Sequence, residues 1–205
     1  MKIIELEVGE MATNCYILSC GITLDAAIID PGAEAERILA AVKKNNLKAR
    51  YIILTHGHGD HIGALSKVRE ATGAKVLIHA ADAGMLTDKE KNLSVYIGPG
   101  FVTGSADQVL NDGDEIPVGH FTLQVLHTPG HTTGGICLLT GNTLISGDTL
   151  FAQSIGRTDF PGGSYKEIVH SIKSKLFVLP EETKVYPGHG PMTSIGLEKR
   201  TNPFT

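Results

Sequence analysis

The chain has 205 residues, enough for one well-buried domain over residues 1–205 and too few for two ordinary ones. Hydrophobic residues make up 41% and charged ones 20%, a globular balance, and no apolar run is long enough to span a bilayer. The formal charge of −4 leaves no basic footprint of the kind that tracks nucleic acid.

The opening stretch MKIIELEVGEMATN carries Glu5, Glu7 and Glu10 where a secretion signal would be apolar. The three cysteines, Cys15, Cys20 and Cys137, lack CxxC spacing, so they read as small buried hydrophobes in a reducing compartment. The expectation is a cytoplasmic, monomeric unit.

Three apolar runs that end in turn signals, KIIELEV (2–8), NCYILSC (14–20) and LDAAIID (24–30), predict strands, the third stopped by Asp30-Pro31-Gly32. EAERILAAVKKNN (34–46) places Ile38, Leu39 and Val42 on one face, with acids early and lysines late, as an amphipathic helix does. RYIILT (50–55) predicts a buried strand, IGALSKVREATG (62–73) a helix closed by Gly73, and AKVLIHA (74–80) another strand. A short helical stretch follows at 81–86. From Thr87 to Gly104 periodicity is weak and Gly98, Pro99, Gly100 and Gly104 intervene, so this segment reads as a surface loop that either covers the pocket or simply connects elements. Strands follow at 107–110, 114–118, 121–128, 134–140 and 142–147, then a glycine-rich loop over 148–164. A helix from Ser164 to Phe177 and a strand at TKVYPG (183–188) complete the pattern. Two mixed sheets with helices outside predict a four-layered α/β sandwich.

Chemistry-bearing residues gather at the strand ends. THGHGDH (55–61) follows one strand, His131 follows LQVLHTPG, Asp148 follows TLISG and His189 follows KVYPG. His56, His58, Asp60, His61, His131, Asp148 and His189 are imidazoles and carboxylates without a thiolate, a donor set that suits zinc, iron or manganese. One catalytic zinc needs three such ligands and a water, whereas seven fit two ions with a bridging carboxylate. A structural zinc is the competing explanation, but such sites are closed and cysteine-rich. The other four histidines, His79, His120, His127 and His170, read as ordinary core residues, and Thr132 and Thr133 as turn caps.

THGHGDHIGAL, HTPGHTTGGICLL, SGDTLFAQSIGRTDFPGG and VYPGHG, in this order, resemble the metallo-β-lactamase superfamily, and within it the small glyoxalase II-like hydrolases. The resemblance implies the αββα sandwich. It places His56, His58 and His131 on a first metal, Asp60, His61 and His189 on a second, and Asp148 between them, most readily with two zinc ions. Asp60 is expected to double as a ligand and as the group that orients the proton of the attacking hydroxide, and Asp30 to cap and brace the loop beside the metals through backbone hydrogen bonds.

Two metals that share a water lower its pKa from about 15.7 toward 7, which makes metal-assisted hydrolysis the expected chemistry. No strong general acid stands among the motif residues, and a thiolate, with a free-thiol pKa near 8.5, leaves with little protonation. A thioester substrate is therefore compatible, as is an alkoxide held by a metal. The glyoxalase II resemblance implies S-lactoylglutathione. Those enzymes carry a helical C-terminal domain that grips glutathione, whereas this chain ends at Thr205, sixteen residues past His189. Arg157 stands where they have a basic residue near a glutathione carboxylate, and Asp159 where they often have tyrosine; Arg157 either clamps a carboxylate or pairs with Asp159. Tyr165 is a further candidate for the pocket. GRTDF also resembles the persulfide dioxygenases of the superfamily, in which His56, His131 and Asp148 would hold one iron. A metal- or ligand-binding module with an idle site is the non-enzymatic alternative.

Overall fold

The computed structural model describes residues 1–205. The first half runs β1 (Lys2–Val8), β2 (Thr13–Ser19), β3 (Asp25–Ile29), α1 (Ala35–Lys44), β4 (Lys48–Ile53), α2 (Gly59–Ile62), α3 (Leu65–Thr72), β5 (Lys75–His79) and β6 (Gln108–Leu110). These strands form one sheet in sequence order, antiparallel from β1 to β3 and parallel from β3 to β6. The second half supplies β7 (Glu115–Val118), β8 (Phe121–His127), β9 (Ile136–Thr140), β10 (Thr143–Gly147), the hairpin β11 (Leu150–Phe151) and β12 (Ser154–Ile155), α4 (Tyr165–Ser171), β13 (Lys184–Pro187), β14 (Thr193–Ser194) and α5 (Ile195–Thr201). Its sheet is ordered β14-β13-β10-β9-β8-β7, with β10 and β13 parallel.

Strand periodicity explains the four layers. Successive side chains point to opposite faces, and here both faces of the central strands are covered. In β2, Tyr16 and Leu18 face the other sheet while Cys15 and Ile17 face α1 and α3. In β3, Ala27 and Ile29 point inward and Ala26 and Ile28 outward. The second sheet repeats this: Ile136, Leu138 and Ile145 enter the inter-sheet core, whereas Cys137 and Leu144 meet Ile168, Ile172 and Leu176 on the outer helix. Three apolar layers result, one between the sheets and one under each helical face. All three cysteines are free and buried, as their spacing suggested.

Several elements differ from the sequence expectation. The helix expected over 62–73 starts later, as α3, and the histidine cluster ahead of it forms a separate turn, α2; between them the Ala64 amide donates to the Pro31 carbonyl. The glycine-rich loop contains the β11–β12 hairpin. The end of the chain forms β14 and α5, which the sequence did not announce because Gly196 weakens the helix there. Tertiary contacts compensate: Ser194 caps the Leu197 amide, and the buried carboxylate of Glu198 accepts from Gln153 N, Thr193 Oγ1 and Asn202 Nδ2. Of the four histidines read as core residues, His79 is buried and stacks on His127 at 4.0 Å, but His120 and His170 are exposed.

Candidate metal centre and cleft

The C-terminal ends of β3, β4, β10 and β13 open at one edge between the sheets. β4 delivers His56, and the chain then caps and enters α2, a single turn that presents Asp60 and His61 while His58 stands at its start. Asp148 follows β10, His189 follows β13, and His131 lies in the loop between β8 and β9. These elements bring seven side chains together. His56, His58 and His131 form one group, Asp60, His61 and His189 another, and Asp148 joins His56 and His61.

The distances show donor atoms aimed at common centres. His58 Nδ1 lies 3.0 Å from His131 Nε2, and His61 Nε2 lies 3.3 Å from His189 Nε2. Asp148 sits between the groups, with Oδ1 3.4 Å from His61 Nε2 and Oδ2 3.5 Å from His131 Nε2 and 3.6 Å from His189 Nε2. Asp60 Oδ2 is 3.2 Å from His189 Nε2.

The far ring nitrogens have partners in the protein: His61 Nδ1 at Asp30 Oδ2 (3.0 Å), His131 Nδ1 at the Arg157 carbonyl (2.7 Å), His189 Nδ1 at the Met11 carbonyl (3.1 Å) and His56 Nδ1 at Thr55 Oγ1 (3.2 Å). Such outer bonds select the tautomer and leave the other nitrogen free for a metal. His56 Nε2 and Asp148 Oδ1 are buried without any hydrogen-bond partner, a cost that a bound cation would remove. Gly188 completes the cradle, since a Cβ there would fall on Asp148 Oδ1 and within 2.9 Å of His61 Cε1.

Without a cation the site is electrostatically frustrated. Burial, with His131 and His61 alongside, pushes His58 down to about 3, and burial also carries His56 well below the ordinary value. For His61 burial pulls the same way, but Asp60, Asp148 and Asp30 outweigh it and lift the imidazole to about 10. His189 is likewise raised, its desolvation offset by Asp60 and Asp148. Burial would raise Asp60, yet His61 and His189 hold it below the usual carboxylate range. Neutral and cationic imidazoles crowded around carboxylates fit a pair of divalent metal ions.

Two buried acids brace this edge. Asp30, at a left-handed φ of 50°, accepts from Thr55 N (2.7 Å), Thr55 Oγ1 (2.6 Å) and His61 Nδ1. Asp82 was not singled out by sequence. An acid ahead of a helical stretch looks like a cap, but its carboxylate leaves the turn and accepts from Gly57 N (3.3 Å), Thr132 Oγ1 (2.7 Å) and Gly134 N (2.7 Å). It thereby ties the His56–His61 segment to the His131 loop. Burial lifts its pKa, with those three bonds pulling the other way. Thr132 thus holds Asp82 and does not contact the cleft.

Beside the ligands lies a cavity of about 370 Å³ lined by Met11, Leu93, Tyr96, Ile97, Phe151, Ile155, Arg157 and Phe160 with Asp60, His58, His131, Asp148 and His189. A second lobe of about 470 Å³ extends past Asp60 to Val8, Glu10, Ala33 and Phe101, and Met11, Gly59, Asp60, Tyr96 and Ile97 border both. Of the two roles open to the surface loop 87–104, covering the pocket or connecting elements, the structure shows the first: the segment is a wall of the cleft. Asn92 pins it: the buried amide donates to the Met85 and Phe101 carbonyls, and its backbone carbonyl accepts from Gly59 N at 2.7 Å. Tyr165, expected as a pocket candidate, is exposed and donates its hydroxyl to the Phe204 carbonyl at 2.9 Å. It does not line the cleft.

The sequence profile of the metallo-β-lactamase superfamily matches residues 8–189. The chain belongs to that superfamily. Among the metallo-β-lactamase relatives, the hydroxyacylglutathione hydrolase GloC of Haemophilus influenzae is 36% identical over 184 residues, covering 88% of this chain and 87% of its own. The crystal structure of the B3 metallo-β-lactamase BLEG-1 superposes with a TM-score of 0.94 at 39% identity, over 99% of each chain. That of ETHE1 from Myxococcus xanthus gives 0.85 at 35% identity, over 99% of this chain and 84% of its own. The metallo-β-lactamase fold accounts for both mixed sheets and for the site at their shared edge.

Proposed function

We propose that the protein is a binuclear metal-dependent hydrolase that cleaves a small-molecule thioester. His56, His58 and His131 would hold one ion, Asp60, His61 and His189 the other, with Asp148 shared; zinc heads the candidates, and iron and manganese suit the same donors. Bound there, the pair would supply an ionised water at neutral pH and an electrophilic grip on a carbonyl oxygen.

The protein's own residues do the rest. The Asp60 carboxylate stands where the two lobes meet, accepts from Thr13 Oγ1 at 3.3 Å, and is placed to hold the proton of an attacking water. The apolar walls orient the substrate across it.

One observation carries the choice of leaving group. Outside the ligands, the polar side chains that line the cavity beside the metals are Asn92, Tyr96 and Arg157, with no carboxylic acid or imidazole among them to serve as a general acid. The leaving group must then depart as an anion, which favours a thiolate over the amine of an opened β-lactam. The likeness to GloC supports the same substrate class. The likeness to ETHE1 supports a second reading, a persulfide dioxygenase with one iron on His56, His131 and Asp148. Metal analysis of the purified protein beside a thiol-release assay on S-lactoylglutathione separates them. About two metals per chain with thioester turnover is the result expected for the hydrolase. One iron per chain with oxygen uptake on glutathione persulfide would replace it with the dioxygenase.

A further inference from the structure

We propose that Asp159 sets the charge preference of the cleft: by holding one edge of the Arg157 guanidinium and offsetting its charge it disfavours substrates that end in a carboxylate and favours uncharged, apolar thioesters. This rests on the thioester reading above and names its substrate class.

Arg157 is the only lysine or arginine that lines either lobe, so it alone could receive a substrate carboxylate away from the metals. One edge of its fork is already filled. Nε donates to Asp159 Oδ1 at 2.8 Å and Nη2 to Asp159 Oδ2 at 2.7 Å, the two parallel bonds by which a guanidinium recognises a carboxylate. One face of the same guanidinium lies over the Phe160 ring, with Cζ 3.7 Å from its centre. Phe160 in turn meets the edge of His58, ring centres 5.8 Å apart, so the arrangement is anchored to the metal centre. Asp159 thus stands in for a substrate carboxylate, tethered two residues away. The second lobe adds an anion of its own, Glu10, beside Asp60, and offers Val8, Met11, Ala33 and Phe101 with only Thr13 and Tyr96 as neutral polar side chains. Both lobes therefore favour apolar arms without negative charge.

The pair is exposed, with 56% of the Arg157 and 66% of the Asp159 side chain accessible. An exposed ion pair is worth up to about fivefold in an equilibrium constant, so releasing it has a readable but bounded effect. The test compares KM for S-lactoylglutathione with KM for its ethyl ester at the glycine carboxylate, on the metal-loaded protein. The ratio taken within one variant cancels differences in folding and metal loading. The wild type is expected to bind the ester at least as well as the acid. D159N should lower the acid-to-ester ratio about fivefold, R157Q should leave the wild-type ratio, and the double variant should return to it. A ratio that R157Q raises, or that D159N leaves unmoved, would overturn the proposal. If neither thioester is turned over, the thioester reading fails, and calorimetric binding of glutathione and its ethyl ester decides the charge preference separately. Tighter acid binding by D159N upholds it; unchanged binding overturns it.

Discussion

The floor and the rim of the cleft are built in opposite ways. On the floor, buried ligands stand at strand ends, and their outer nitrogens are held by Asp30, Thr55 and the carbonyls of Arg157 and Met11. On the rim, Met11, Tyr96 and Ile97 are exposed apolar side chains on a turn and at the end of a short 3-10 helix. The floor is over-determined because a metal demands donor positions within tenths of an ångström. The rim is free to vary because an apolar arm asks only for area. Chemistry and substrate choice therefore sit on separable parts of the molecule.

The largest effects should come from breaking the floor. Asp148→Asn, or Gly188→Ala, whose methyl would fall on Asp148 Oδ1, should reduce metal content below about two per chain and bring hydrolysis to background. Elemental analysis and thiol release read this; full metal content in Gly188→Ala would show that the cradle can shift. One layer out, Asp82→Ala should weaken metal affinity by about 10–100-fold, the usual cost of an outer partner, with a chelator titration as readout. An unchanged midpoint there would mean that Asp82 supports only the fold. At the rim, Tyr96→Ala or Ile97→Ala should raise KM by roughly tenfold at most, about 1.4 kcal/mol, with metal content unaltered. Loss of metal in those variants would erase the distinction between floor and rim.

The last effect is electrostatic and belongs to chelated protein. His58, lowered to about 3 from 6.5, and His56 with it, are neutral in the fold but protonate when unfolded, so stability falls as pH drops below 6.5. His61, raised to about 10 from 6.5, keeps a proton that the unfolded chain sheds, so its contribution is complete below 6.5 and lost as pH rises through about 10. The metal-free protein should be most stable near 6.5, as thermal melts across pH would show. Metal should remove the alkaline loss, because a cation then replaces the proton among Asp60, Asp148 and Asp30. Melts that climb steadily through pH 9 without metal would contradict this assignment of charge.

Much of the floor is legible in the amino-acid order. THGHGDH places four donors within six residues, and turn residues mark the strand ends that deliver the others. The rim is not legible there. Segment 87–104 has no periodicity to read, and its position follows from Asn92, whose bonds reach Met85, Gly59 and Phe101. Tyr165 looks eligible because it opens a helix near GRTDF, yet its hydroxyl is held by Phe204, 39 residues on. Asp82 escapes notice because its partners lie 25, 50 and 52 residues away.

The layers and the donor set thus follow from the sequence. Alternation over short apolar runs dictates which faces are buried, and clustered imidazoles and carboxylates have a chemical meaning at any spacing the loops permit. Tertiary contacts decided the rest: which donor atom of each ligand faces inward, which acids stand behind them, and how the cleft is walled. Those outcomes depend on residues far apart in the chain, where the direction of a side chain is set by its neighbours in space and no local periodicity records it.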